Sequence, residues 1–166
     1  MCITDKAKQT RKELKELGIN SKQVSVNCKH GSLYVRIKDL KVKMETVEFI
    51  ANKHRSVSYC EASGEILQGG NTFVFIEFDS NALRAAANEF EEKAEKIFQE
   101  KGGDHCGITI SEKDNMRLVY WPNECIPTVN LTPFEGGYAE KKYAAHNIYH
   151  LSEAMAYYNN QHGFTF

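Results

Sequence analysis

A few groups of residues have the types and spacing that chemistry would use. His146 and His150 stand four apart, with Glu153 three further on. On one helix these three share a face, which is workable metal-ligand geometry. The run is not H-E-x-x-H, because Asn147 sits where a general-base glutamate would be. Most helical histidine pairs of this kind are solvated surface residues, so no metal and no cofactor is favoured. His105-Cys106, beside Asp104, pairs a thiol with an imidazole as a nucleophile would need. Sequence neighbours on a strand point to opposite faces, however, and adjacency argues against that use. His30, next to Lys29 at a hairpin tip, has the chemistry of an acid–base group acting on RNA phosphodiesters. Gly69-Gly70-Asn71-Thr72 offers bare backbone N–H groups to a phosphate. It lacks the Lys-Ser/Thr ending of a P-loop, and a tight turn explains it more simply.

The charge distribution points to binding more than to catalysis. The formal net charge is −1. Residues 1–55 hold 13 Lys and Arg against 6 Asp and Glu, or +7, and the remainder holds 8 against 16, or −8. An asymmetry of this kind marks a polyanion-binding end, or it simply solvates a surface. The candidate nucleic-acid contacts are Lys8, Arg11, Lys12, Lys15, Lys22, Lys29, Tyr34, Arg36 and Lys38. Positive charge interleaved with an aromatic is what backbone and base contacts require. The acidic remainder, including Glu89, Glu91, Glu92 and Glu95, has the opposite use as a mimic of nucleic acid in a basic channel.

Periodicity gives the elements that must carry these groups. Ile3, Ala7, Thr10, Leu14 and Leu17 form one face of an amphipathic helix that Gly18 ends. Val24, Val26 and Cys28 alternate, as do Leu33, Val35 and Ile37, with His30-Gly31-Ser32 as the turn of a hairpin. Its outward face would show Lys29, Tyr34, Arg36 and Lys38. A second helix is predicted over about 44–54. Val57–Glu61, a turn at 62–65, Ile66-Leu67 and a strong strand over 72–78 follow. Asp79-Ser80-Asn81 supplies N-cap side chains for a long helix whose buried face is Leu83, Ala87, Phe90, Ala94, Ile97 and Phe98. Cys106–Ile110 and Met116–Tyr120 alternate as a further hairpin. Pro122, Pro127 and Pro133 mark an irregular stretch, and the last helix is predicted over about 139–160. The order α-ββ-α-ββ-α-ββ-α implies an α+β fold, a mainly antiparallel sheet built from hairpins with helices packed on one face.

At 166 residues, a single domain over 1–166 is the default. The 42% hydrophobic and 26% charged content are those of a folded chain, not a disordered one. Five cysteines, an odd number with no C-x-x-C pair, argue against a disulfide framework or thiolate zinc site. No apolar h-region follows Met1 and no 18-residue apolar run occurs, which predicts a cytoplasmic protein with no membrane partner.

The stretch 15–79 carries a family likeness. Glu16-Leu17-Gly18-Ile19-Asn20-Ser21-Lys22-Gln23-Val24-Ser25-Val26 opens it and Tyr34-Val35-Arg36-Ile37-Lys38-Asp39-Leu40 follows. The most specific part is Gly64-Glu65-Ile66-Leu67 with Gly69-Gly70-Asn71-Thr72-Phe73-Val74-Phe75. Together these resemble one of the large polyvalent protein-associated domains of phages and conjugative elements, which also occur as short free-standing proteins. The resemblance carries over no catalytic residue and does not reach the hairpin and helix of 104–166. It implies a setting among mobile elements, whose accessory proteins often blunt CRISPR or restriction defence. The leading expectation is therefore a non-enzymatic binder of nucleic acid or of a host nucleoprotein effector. A small nuclease acting on RNA or DNA, and a structural module in conjugation or phage assembly, are the alternatives.

Overall fold

In the computed structural model, residues 2–67, 69–100, 107–134 and 142–166 are described. The fold is α+β, as the element pattern implies. The chain divides into two compact units, 1–82 and 83–166.

The first unit begins with α1 (Ile3–Glu16), whose Ala7, Thr10 and Leu14 are buried. It ends in a Schellman motif. Gly18, at φ 80°, donates to Lys15 O, and Ile19 N donates to Leu14 O at 3.0 Å. Only a residue tolerant of the left-handed region closes the helix in this way, so Gly18 does what its position in the sequence announced. Strands β1 (Val24–Lys29) and β2 (Ser32–Ile37) pair antiparallel, with Lys29 opposite Ser32. His30 and Gly31 both have positive φ, at 48° and 77°. Positive φ at both central residues defines the type I′ turn that matches the twist of a hairpin.

The expected middle hairpin is reduced to a minimal form, in which Leu67 N donates to Ser58 O at 2.9 Å and Cys60 N to Glu65 O at 2.8 Å. Among the described residues between α2 (Met44–Asn52) and β3 (Phe73–Phe78), the strand pairing is limited to two isolated bridges, Ser56 to Thr72 and Tyr59 to Ile66. Tyr59, Ile66 and Leu67 are about half exposed, so residues 57–67 bury no face that would hold a ladder. Instead β3 lies parallel to β2, giving the sheet order β1-β2-β3. The crossover through α2 makes this a βαβ unit, the connection that parallel neighbours require. Its core joins Ala7 and Leu14 of α1, Val24 and Val26 of β1, Leu33, Val35 and Ile37 of β2, and Val47, Ile50 and Ala51 of α2. Both helices thus pack on one face of the sheet, and the alternating residues occupy the other.

The second unit carries α3 (Ser80–Ala87), which starts just inside the first, then a 3₁₀ turn (Asn88–Phe90) and α4 (Glu91–Gln99). Asp79 caps α3, its Oδ1 accepting from Asn81 N and Ala82 N. Strands β4 (Ile108–Lys113), β5 (Met116–Trp121), β6 (Thr128–Pro133) and β7 (Lys142–Ala144) form an antiparallel sheet in sequence order. The β4–β5 hairpin is the one the alternation predicts, turning through Asp114 and Asn115 at positive φ. Strand β6 occupies part of the stretch read as irregular. Proline blocks ladder bonds, yet Thr128–Thr132 is a proline-free β-forming run with Pro127 before it and Pro133 at its end, where proline is tolerated. The last helix, α5 (Ile148–His162), starts later than predicted, because Asn147 caps it through His150 N at 2.9 Å and residues 142–144 belong to β7. Predicted elements reaching into 101–106 and 135–141 lie outside the described residues.

Candidate nucleic-acid interface

The strands of the first unit divide their side chains cleanly. Leu33, Val35 and Ile37 are buried beneath the helices, while Tyr34 and Arg36 are exposed on the outward face. Parallel pairing places Phe75 beside Tyr34 and Glu77 beside Arg36. The Tyr34 and Phe75 rings stack at 5.2 Å between centroids, 19° from parallel. Both stay open to solvent, at 43% and 50% relative exposure. On the other side, Asn27 stands opposite Tyr34 and Ser25 opposite Arg36. The outward face is therefore a polar sheet surface with an aromatic pair at its centre.

Arg36 donates to Glu77 Oε1 from Nε at 3.0 Å and from Nη2 at 2.8 Å. This hydrogen-bonded carboxylate raises the guanidinium pKa. Both side chains are more than half exposed, and ion pairs so placed add little to stability. A phosphate can therefore take Arg36 from Glu77 at little cost. Lys29 and Lys38, at either end of the hairpin, are exposed cations flanking this surface.

The nine candidate contacts do not form one surface. Lys29, Tyr34, Arg36 and Lys38 belong to the hairpin, and Lys22 to the turn before it. Lys8, Arg11, Lys12 and Lys15 ride on α1, on the opposite side of the sheet from Tyr34. Arg11 is committed in part to structure, its guanidinium donating to the carbonyl of Val26. Phe75 and Glu77 were missed by sequence reasoning. Their alternation with Val74 and Ile76 was visible, but their neighbours were not, since a parallel partner across a 35-residue crossover leaves no local signal.

The groups considered for catalysis are placed as follows. His30 is exposed at the tip of the β1–β2 turn. Gly69-Gly70-Asn71-Thr72 is a turn whose polar groups are used internally. Asn71 Oδ1 accepts from Ser58 N at 2.9 Å, and Thr72 Oγ1 accepts from Lys6 Nζ at 2.7 Å. His146 precedes α5 instead of lying on it, so the i, i+4 geometry is not realised. Its ring meets that of His150 edge-on at 5.8 Å. Among the described residues no three His, Cys, Asp or Glu side chains form a group that could hold a metal ion. Asp104, His105 and Cys106 lie outside the described residues. The acidic candidates Glu91, Glu92 and Glu95 line a groove of about 410 Å³ with Ile148 and the exposed Tyr149.

No helix among the described residues is long and apolar enough to cross a membrane. No protein-family model, curated protein or solved structure matches the chain.

Proposed function

We propose that the first unit binds single-stranded nucleic acid across the outward face of its β1-β2-β3 sheet. Tyr34 and Phe75 would stack bases, while Lys29, Arg36 and Lys38 would contact phosphates. The observation that carries this reading is the stacked yet exposed aromatic pair. Burying a Phe side chain contributes about 1.5–3 kcal/mol, and the unit forgoes much of that at Phe75. A polar sheet with aromatic rings at its centre and cations at its margin is the arrangement by which sheet-based modules hold unpaired bases.

The test is fluorescence anisotropy with labelled single-stranded RNA and DNA oligonucleotides and a duplex control. Each base–aromatic stack is worth about 1–3 kcal/mol, so Tyr34→Ala or Phe75→Ala should weaken binding by roughly 5- to 150-fold. Three phosphate contacts on a single strand predict a salt slope near −2, or roughly twentyfold between 50 and 200 mM salt. Glu77→Gln should strengthen binding by releasing Arg36. Parent-like affinity of both aromatic variants, or a preference for duplex, would sink the reading.

The mobile-element setting and a role against CRISPR or restriction defence rest on the residue-level resemblance alone. Their test is phage plating on cells that carry a defence system, with and without the protein. An unchanged efficiency of plating across several systems removes that part and leaves the binding face intact.

A further inference from the structure

A second surface of the first unit lies at the free edge of β1. Because the sheet order is β1-β2-β3, β1 has a strand neighbour on one side only among the described residues. A two-residue turn makes Lys29 and Ser32 a hydrogen-bonded pair, so Asn27–Tyr34 and Ser25–Arg36 bond in the same phase. The bond from Lys38 N to Gln23 O at 2.7 Å continues that phase. The main-chain groups of Val24, Val26 and Cys28 therefore point away from β2. Two of these are taken: Val24 N donates to Asn20 O at 3.0 Å, and Val26 O accepts from Arg11. Among the described residues, the N–H of Val26, the C=O of Val24 and both groups of Cys28 make no main-chain bond; Val24 and Val26 are each 4% exposed, so pairing there requires Arg11 to move off the edge first.

Beside this edge runs a groove of about 420 Å³ between α1 and β1. Leu14, Ile19 and Val24 give it an apolar floor, and Arg11 and Lys15 give it a cationic wall. Lys22 lies just before β1 and Lys29 at its end, and both are exposed. We infer that this edge docks an acidic, extended peptide segment of a protein partner, added as a fourth strand beside β1. Main-chain bonds to Val24, Val26 and Cys28 supply the pairing, and the groove takes an apolar side chain. The surrounding cations select carboxylates over lysines. Arg11 guards the edge when it is empty, as charged residues on edge strands commonly do. On docking, its guanidinium passes from the Val26 carbonyl to a carboxylate of the incoming strand. The sheet face of Tyr34 and Phe75 takes no part and only Lys29 borders both sites, so variants of Arg11 and Lys15 separate this inference from the nucleic-acid reading.

The experiment uses a fluorescein-labelled peptide of alternating Val and Thr flanked by two Asp at each end, and a counterpart flanked by Lys. The acidic peptide should bind at least fivefold more tightly than the basic one at 50 mM salt, and Lys15→Glu should erase the difference. Lys15 is exposed on α1, so its charge reversal leaves the core untouched, and Arg11→Ala should weaken the acidic peptide as well. Amide resonances of Val26 and Cys28 should shift on titration while that of Phe75 stays in place. Equal binding of the two peptides, shifts centred on Phe75, or displacement of the acidic peptide by a second copy of the protein would overturn the inference.

Discussion

At the scale of single residues, thiol chemistry separates cysteines that the sequence leaves alike. Cys60 accepts a hydrogen bond from the Ser63 side chain and further ones from the Ser63 and Ala62 amides, which lowers its thiol pKa. A lowered pKa means more thiolate at a given pH, and the thiolate is the reacting species. Labelling with a maleimide should therefore show a phase that persists to lower pH than an ordinary thiol, and Cys60→Ser should remove that phase. An unchanged pH profile in the variant would contradict the assignment. The residue scale is also where the sequence was most legible. Alternation in Leu33–Ile37 sorted Tyr34 and Arg36 to the outward face without error. It could not show that Phe75 stacks on Tyr34, because burial periodicity reports which face a side chain takes and not which strand lies beside it.

At the scale of elements, local signals succeeded where the chain solves its hydrogen bonding locally. The Schellman ending of α1, the Asp79 cap of α3 and both type I′ hairpins have short-range chemistry and could be read directly. Failures cluster where a longer-range partner decides. Residues 57–61 and 66–67 have strand-like sequence but no face to bury, and β3 found its partner across a crossover. The start of α5 moved because one good cap, Asn147, outcompeted the weaker helical pattern before it. The β1–β2 turn offers a quantitative check. Gly31 holds φ at 77°, and a Cβ there would stand 3.4 Å from Asn71 O. The left-handed region costs a residue with a Cβ about 1–2 kcal/mol. Gly31→Ala should lower the stability of the hairpin by about that amount, while Gly31→Asn, which tolerates this conformation better, should cost less. Amide hydrogen exchange at the β1–β2 bonds measures both, and equal protection in the two variants would contradict the turn assignment.

At the scale of the whole molecule, the division into units changes how the charge is understood. Through Ala82 there are 13 Lys and Arg against 10 Asp and Glu, or +3, and from Leu83 onward 8 against 12, or −4. The sharp contrast at residue 55 is thus softened by Glu61, Glu65, Glu77 and Asp79, of which Glu77 partners Arg36 directly. The second unit has its own pH signature. Burial, with help from Glu153 and Tyr157, pushes the Tyr143 phenol up to about 12 from an ordinary 10.0. Burial also raises Tyr158, whose hydroxyl reaches toward Val129 O. A phenol raised in the folded state contributes its full stability below pH 10. Between pH 10 and 12 the unfolded chain ionises first, so stability must fall as pH rises through that window. Urea unfolding followed by Trp121 fluorescence should show this loss, and Tyr143→Phe should reduce it, leaving the part that Tyr158 carries. A flat profile in the parent chain would contradict the buried placement.

The parallel pairing of β3 with β2 also has a consequence in time. During synthesis α1 and the β1–β2 hairpin emerge early and have mostly short-range contacts to make. Their third strand arrives only after 35 further residues, when a loop must close before pairing repays its entropy. Until then the far edge of β2 is an open template beside the apolar side chains of Leu33, Val35 and Ile37, the kind of edge on which nascent chains associate. The ring that will lie against Tyr34 is absent over the same interval. The aromatic surface is thus completed by the step that closes this edge, and a chain that presents the Tyr34–Phe75 pair is one that has already passed its hazard.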